Sequence, residues 1–350
     1  MAQPAFEVSG FLSELTATTN RTIVPEVSDN VMCSDPFLAL LRAQRLATYP
    51  GGTQIDVPFL YAAEGGGFVT PGTQFDISRK QTITAGSWQP KEVYVPITEL
   101  LEQLNVYNKP PAAVVKIVDT KMQGAALTMS ARLAVASYLG GQGARIAALN
   151  GLAEILNDGT NAQFDGTTYA NYGTVPRNGT IGSALNSPMT GPTANLASTK
   201  ISQRVIETAI NSVVVGNERP NTLITTNLGM SYIRLAYQSQ WRTETVDPKV
   251  GLQSLVVSGA KLYQSQYAPG SVAPPDGTNL GFSTITGESL FILNDRSFKL
   301  YISDDPLFGF GFTGFKVAQN STEVSGQYLF MGNIVNIQPR FSRVLFGFTS

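Results

Sequence analysis

The chain has 350 residues, enough for one large core or two moderate ones, and a formal net charge of −1. Only 14% of residues are charged against roughly a quarter in an average soluble domain, while 43% are hydrophobic, so the chain is expected either to be sparingly soluble alone or to cover much of its surface with partners. With no histidine and one cysteine, Cys33, a single chain cannot build a His/Cys metal site, a Ser-His-Asp triad, a Cys-His dyad or a disulfide framework.

Residues 1–34 scatter Phe6, Phe11, Leu12, Ile23 and Val24 among polar positions without a period, which predicts an extended arm that docks on something. Asp35-Pro36 reads as the N-cap and first residue of a short helix, PFLALLRAQRLATY, closed by Pro50-Gly51-Gly52. Thr53–Tyr61 then alternates through Ile55, Val57 and Phe59 as a strand, and Gln81–Val95 alternates as a second. Between them lies a glycine-rich connection with Gly65, Gly66, Gly67 and a Pro-Gly turn. A connection of that length inside a compact domain usually carries function. A two-stranded ribbon is marginal in water by itself, so it is expected to lie on a neighbouring molecule. The stretch EGGGFVTPG lacks the lysine and following helix of a phosphate-binding loop.

Thr98–Leu104 (TELLEQL) reads as one or two helical turns. From Pro110 to Leu139 the chain predicts one long helix, opened by Pro110-Pro111 and stopped by Gly140-Gly141. Val115, Val118, Met122, Ala125, Met129, Leu133 and Ala136 recur at steps of three or four, the period of one face. Such a helix spans roughly 40 Å, and its narrow stripe of small residues suits close packing on a sheet. Ala144–Leu156 reads as at least partly helical, and residues 157–196 as irregular backbone with short strands. Thr199–Val215 and Leu228–Trp241 read as amphipathic helices flanking a strand at Asn221–Thr226, with further strands near Gln253–Tyr263 and Ser289–Asn294. These make residues 151–299 an expected α/β lobe. Four strand-like runs follow, Phe298–Ser303, Phe315–Gln319, Gln327–Ile337 and Phe341–Phe348, expected to form a sheet under the long helix. The uncharged run LFGFGFTGF at 307–315 must be covered by the fold or by a partner.

No basic run exceeds Arg79-Lys80, so contact with nucleic acid is expected to be loose and non-specific. No stretch is apolar enough to span a membrane. The opening residues MAQPAFEVSG lack the basic and apolar regions of a secretion signal, which points to a cytosol-like compartment. Candidate carboxylates (Glu99, Glu102, Asp295, Asp304, Asp305) sit in no recognisable catalytic frame, and Asp304-Asp305-Pro306 reads as a turn. No cofactor is expected.

The segments LLRAQRLATYPGGTQIDVPFLYA, NGLAEIL, SLFILNDRSFKLYIS and MGNIVNIQPRFSRVLFGF, in that order and spacing, resemble the major capsid protein of tailed double-stranded DNA bacteriophages. Its fold is named after phage Hong Kong ninety-seven. The resemblance implies an α+β chain: an N-terminal arm (1–34), the short helix (35–51) and an extended two-stranded loop (52–95). It further implies a peripheral domain (96–150 and 300–350, spine helix 110–139) and an axial domain (151–299). It implies hexamers and pentamers closing into an icosahedral or prolate capsid assembled in the host cytoplasm. The partners would be a separate scaffolding protein, a portal, decoration proteins and packaged DNA. Encapsulin-type nanocompartments, which share the fold, or another self-assembling phage structural protein such as a tail-tube component, stand as the alternative. On the same resemblance, Gly65, Gly66, Gly67, Phe68, Phe75, Lys80 and Trp88 of the loop would contact the next subunit. Some members cross-link through a Lys–Asn isopeptide bond, for which Lys80 with Asn333 or Asn336 are the candidates and a plain surface lysine the competing reading.

Overall fold

The computed structural model describes residues 35–44, 46–75, 77–100, 117–142, 148–188, 195–237, 243–244, 254–274, 285–317 and 322–350. The expected arm, residues 101–104 and the first turns of the long helix (110–116) lie outside the described residues. Helix α1 (Pro36–Gln44) starts as its sequence dictates: Leu38 N–H donates to Asp35 Oδ2 at 2.9 Å, and Pro36 occupies the first turn. The run LATY does not continue the helix. It forms strand β1 (Leu46–Tyr49), parallel to β12 (Phe298–Ser303), because a sheet edge offers its backbone partners that outweigh helix propensity.

Strands β2 (Ile55–Leu60) and β3 (Ile83–Trp88) make the expected ribbon, in antiparallel register from Ile55 opposite Trp88 to Leu60 opposite Ile83. The second alternating run is two strands rather than one. Gln89-Pro90 interrupts it, and β4 (Lys91–Leu100) leaves the ribbon to pair with β15 (Glu323–Asn336) from Lys91↔Gly332 to Leu100↔Glu323. Thr98–Leu100, expected to be helical, is therefore the end of a strand. One long ladder overrode a local preference worth a few tenths of a kcal/mol per residue.

Helix α2 (Ile117–Tyr138) lies across β4 and β15, placing Ala125, Met129, Leu133 and Ala136 of the expected stripe in the core. In its last two turns every residue from Ala131 to Tyr138 except Arg132 is buried. Of the helix expected over 144–156, the described residues contain one turn, α3 (Leu152–Ile155). A small hairpin, β5 (Asn171–Tyr172) and β6 (Val175–Pro176), and a single turn α4 (Thr180–Ser183) follow.

Two six-stranded sheets organise the chain. In the first, β4 lines one edge of β15. The other edge is taken in turn by β12, β13 (Gly309–Phe312) and β14 (Lys316–Val317), with β1 beyond β12. The second runs β16 (Arg343–Phe348), β11 (Glu288–Leu293), β7 (Thr222–Thr225), β10 (Ala260–Gln264), β9 (Ser254–Val257), β8 (Thr243–Glu244). Strand β16 therefore does not join the other C-terminal strands as expected. It crosses to pair antiparallel with β11. Both faces of its central strands are covered, which is why LFIL (290–293) and VLF (344–346) read as apolar runs without alternation. Leu223, Leu290, Ile292 and Leu345 meet helices α5 (Gln203–Ser212) and α6 (Asn227–Ala236). Ile224, Phe291, Leu293 and Val344 face the core shared with α2 and the first sheet.

One buried carboxylate ties these parts together. Asp35 Oδ1 accepts the Tyr138 hydroxyl at the end of α2 at 2.9 Å and the hydroxyl of Ser265, just beyond β10. Burial pushes the Asp35 carboxyl up from its usual range, against the opposing pull of the Ser265, Leu38, Tyr138 and Phe37 donors. A raised folded value means the native state holds the proton where the unfolded chain has released it. The stability contributed by neutral Asp35 is thus full below its unfolded value of about 4 and is lost as pH rises through the raised folded one. In urea unfolding followed against pH, Asp35→Asn is expected to flatten that part of the profile. An unchanged slope would assign it elsewhere.

Candidate assembly interface

Alternation decides which face of the ribbon is wet. Ile55, Val57 and Phe59 point inward and are buried, and Asp56, Pro58 and Leu60 point out. The ladder is extended past the strands by Tyr61 N–H to Thr82 O (3.0 Å) and by the Tyr61 hydroxyl to Gln81 O (2.6 Å). The Thr82 hydroxyl to Glu64 Oε1 (2.9 Å) adds a side-chain tie. Gly65 lets the Lys80 side chain fold against it: a Cβ there would lie 3.0 Å from Lys80 Nζ.

Beyond that point the legs of the loop have no strand pairing among the described residues. Thr70-Pro71-Gly72-Thr73 closes the tip as a β-turn, with Thr73 N–H donating to Thr70 O at 3.1 Å and Gly72 at φ +89°. Proline first and a left-handed glycine second are what a type II turn requires. Around this turn the apolar side chains have nowhere to go: Phe68 is fully exposed, Ile77 is 93% exposed and Phe75 73%. Gly66 and Gly67 are exposed beside them. Single exposed apolar residues are ordinary, but several on one projecting loop mark a contact surface.

Trp88 departs from this pattern. It is 3% exposed and packs edge-on against Phe59 (5.8 Å) and Tyr172 (5.0 Å), so it anchors the ribbon to the body of its own chain rather than facing a neighbour. Sequence parity held the signal: Trp88 is paired with Ile55 and shares its inward face. The cross-link partners are also corrected. Asn333 and Asn336 are fully buried. Asn333 accepts the Asn150 N–H (3.0 Å) and donates to Asn150 Oδ1 (2.6 Å) and Gln89 O (2.9 Å), so it is out of reach of another molecule's lysine.

Sequence reasoning missed the polar junction beneath the ribbon. Arg177, 1% exposed, donates to the carbonyls of Glu154 (2.6 Å), Ile155 (3.3 Å) and Asn157 (2.6 Å), capping α3, and its guanidinium lies 4.9 Å from the Tyr172 ring centre. Burial lowers its pKa to about 10, so it stays charged at neutral pH. The buried Glu154 carboxyl is pushed up by desolvation, although it accepts from Asn150 (2.6 Å), Gln142 (2.9 Å) and the Gly141 N–H (3.2 Å). Glu99 forms an ion pair with Lys121 that holds α2 on β4. The aromatic run at 307–315 is half covered by the fold. Phe310 stacks on Phe330 (4.6 Å) under Arg42, beside a groove of about 200 Å³ lined by Leu38, Met129, Leu133 and Tyr328.

No protein-family model and no curated protein sequence matches the chain. Solved structures do match it along nearly their whole length. A capsid subunit of cyanophage A-1(L) superposes with a TM-score of 0.68 at 12% identity, covering 95% of this chain and 97% of that one. The encapsulin of Synechococcus elongatus gives 0.59 at 9% identity (99% and 96%), and the capsid of Helicobacter pylori bacteriophage KHP30 gives 0.56 at 10% (98% and 97%). At these identities the likeness establishes the fold. The chain has the mixed α and β Hong Kong ninety-seven fold of phage capsid and encapsulin shell proteins.

The two kinds of ribbon residue are expected to behave oppositely on substitution. Phe68→Ser and Phe75→Ser should change the unfolding free energy of the dissociated subunit by no more than about 0.5 kcal/mol. Trp88→Ala should cost about 3–5 kcal/mol by denaturant titration.

Proposed function

We propose that this chain is the shell-forming subunit of a tailed-phage capsid, a structural protein that self-assembles rather than an enzyme. The observation that carries this reading is the projecting loop with its unsupported apolar tip, on a fold otherwise met in closed protein shells. Such a tip contacts a patch elsewhere on the next copy, a heterologous contact that closes into rings when the rotation fits. Hexamers and pentamers follow from one chain, and together they close an icosahedral or prolate shell around double-stranded DNA that is touched without sequence preference. In this reading residues 1–34 are the arm and 52–90 the extended loop, which ends short of the expected residue 95 because Lys91–Leu100 pairs with β15. The first sheet with α2 is the peripheral domain, and the second sheet with α5 and α6 the axial domain. The scaffolding protein, portal and any decoration protein are separate chains, and assembly takes place in the host cytoplasm. The encapsulin likeness over 99% of the chain keeps a second reading in play, a nanocompartment around a cargo protein.

Electron microscopy of the purified protein, alone and with a scaffolding protein, is expected to show closed shells or isolated rings. The variant with Phe68, Phe75 and Ile77 all changed to serine should stay as folded free subunits. Monodisperse small particles from the unaltered chain under both conditions would contradict self-assembly. A bound protein cargo in place of DNA would select the encapsulin reading.

A further inference from the structure

The ribbon is a lever, and its far end matters only as well as its base is held. At 3.3 Å per residue, the stretch from Trp88 back to Lys80 spans roughly 26 Å, so a tilt of about 10° at the base moves the outer end by roughly 4–5 Å. Protein interfaces pack as tightly as interiors, and a displacement of that size separates the contacting side chains.

At the base the chain is shaped around one ring. Gly86 lies two residues before Trp88 on the same face, and a Cβ there would stand 2.6 Å from the indole Cη2 and 2.8 Å from the Phe59 ring. Gly173, at φ +57° in the turn between β5 and β6, approaches from the body side. A Cβ there would stand 2.8 Å from the indole Cε2 and 2.9 Å from Ser87 O. The Tyr172 ring closes the socket at 5.0 Å. Tyr172 is itself immobilised: its hydroxyl donates to Asn336 O (2.7 Å) and accepts the Asn336 N–H (2.9 Å), while Arg177 covers the ring. Ser87 N–H donates to Thr174 Oγ1 at 3.2 Å as a second tie. The ribbon is thus connected through Trp88 and Tyr172 to the backbone of β15, the central strand of the first sheet.

We propose that Trp88 is a positioning residue for assembly. Its indole, seated between Gly86 and Gly173, sets the direction in which the ribbon leaves the body and so the angle at which one copy reaches the next. This rests on the shell-subunit reading above. It makes a claim that a merely stabilising core tryptophan does not, namely that small changes in the socket alter assembly geometry while the body stays folded.

The test uses the full chain carrying Cys33→Ser, Ala63→Cys and Gln123→Cys, the last two at exposed positions on the ribbon and on α2. Spin labels at the two sites report the ribbon-to-body distance in unassembled subunits. Electron microscopy reports shell diameters. Gly86→Ala keeps the indole but displaces it, and Trp88→Phe keeps an aromatic ring but leaves the socket underfilled. The unaltered socket is expected to give one narrow distance and shells of one size. Both variants should shift or broaden that distance by several ångströms and give mixed diameters or open sheets, with α2 still folded by circular dichroism. Should Gly86→Ala fail to fold, Trp88→Phe decides on the same two readouts. Variants with the parent's distance distribution or uniform parent-sized shells overturn the proposal. If the parent itself forms no shell, the shell reading falls, and the distance measurement alone still decides whether Trp88 fixes the ribbon.

Discussion

The ribbon, the α3 turn and the β5–β6 hairpin all hang from the middle strand of the first sheet, at the two asparagines near the end of β15. Asn333 reaches the backbone at Gln89, where the ribbon turns into β4, and Asn150, just before α3. The backbone of Asn336 holds Tyr172, and Tyr172 holds Trp88. A buried polar network of this kind is costly when half satisfied and rigid when complete. Here one strand fixes the ribbon, the α3 turn and the hairpin against one another. The projecting loop can lack a core of its own because its foot is part of the core of the body.

The same logic explains the low charge of the sequence. Among the described residues, buried charged groups are held by partners: Asp35 joins α1, α2 and the second sheet, Arg177 caps α3, Glu99 pairs with Lys121, and Glu288 accepts from Thr226 and Ser271. Burial raises the pKa of the Asp35 and Glu154 carboxyls, against the donors that surround each of them. Among the described residues, the most exposed large apolar side chains, Phe68 and Ile77, lie at the tip of the ribbon, where no core residue backs them.

Periodicity was enough to read the elements whose partners lie on one face. The ribbon strand through Ile55, Val57 and Phe59 was legible, and so was the α2 stripe through Ala125, Met129, Leu133 and Ala136. Reading failed where a distant partner decided the outcome. LATY and TEL became strands because β12 and β15 offered ladders, which no local pattern reports. RVLFGF is apolar on both faces, so nothing in it says which of two sheets it joins. Of the candidate contact residues, Gly66, Gly67, Phe68 and Phe75 lie exposed on the loop and Lys80 folds back on Gly65. Trp88, a contact on the family resemblance, faces inward because its strand parity matches that of buried Ile55. The buried Asn333, Glu154 and Arg177 carry no periodic signature at all, and their roles emerge only when residues far apart in the chain are brought together.

As a shell subunit, the chain would carry a loop tip built for another copy on a base built for this one. Hydrogen–deuterium exchange of free subunits against assembled particles tests it most directly. Amides of residues 66–79 should exchange rapidly in the subunit and become protected on assembly, while those of residues 83–88 should be protected in both. Tip amides that exchange equally fast in both states, or a base that gains protection only on assembly, would contradict the account.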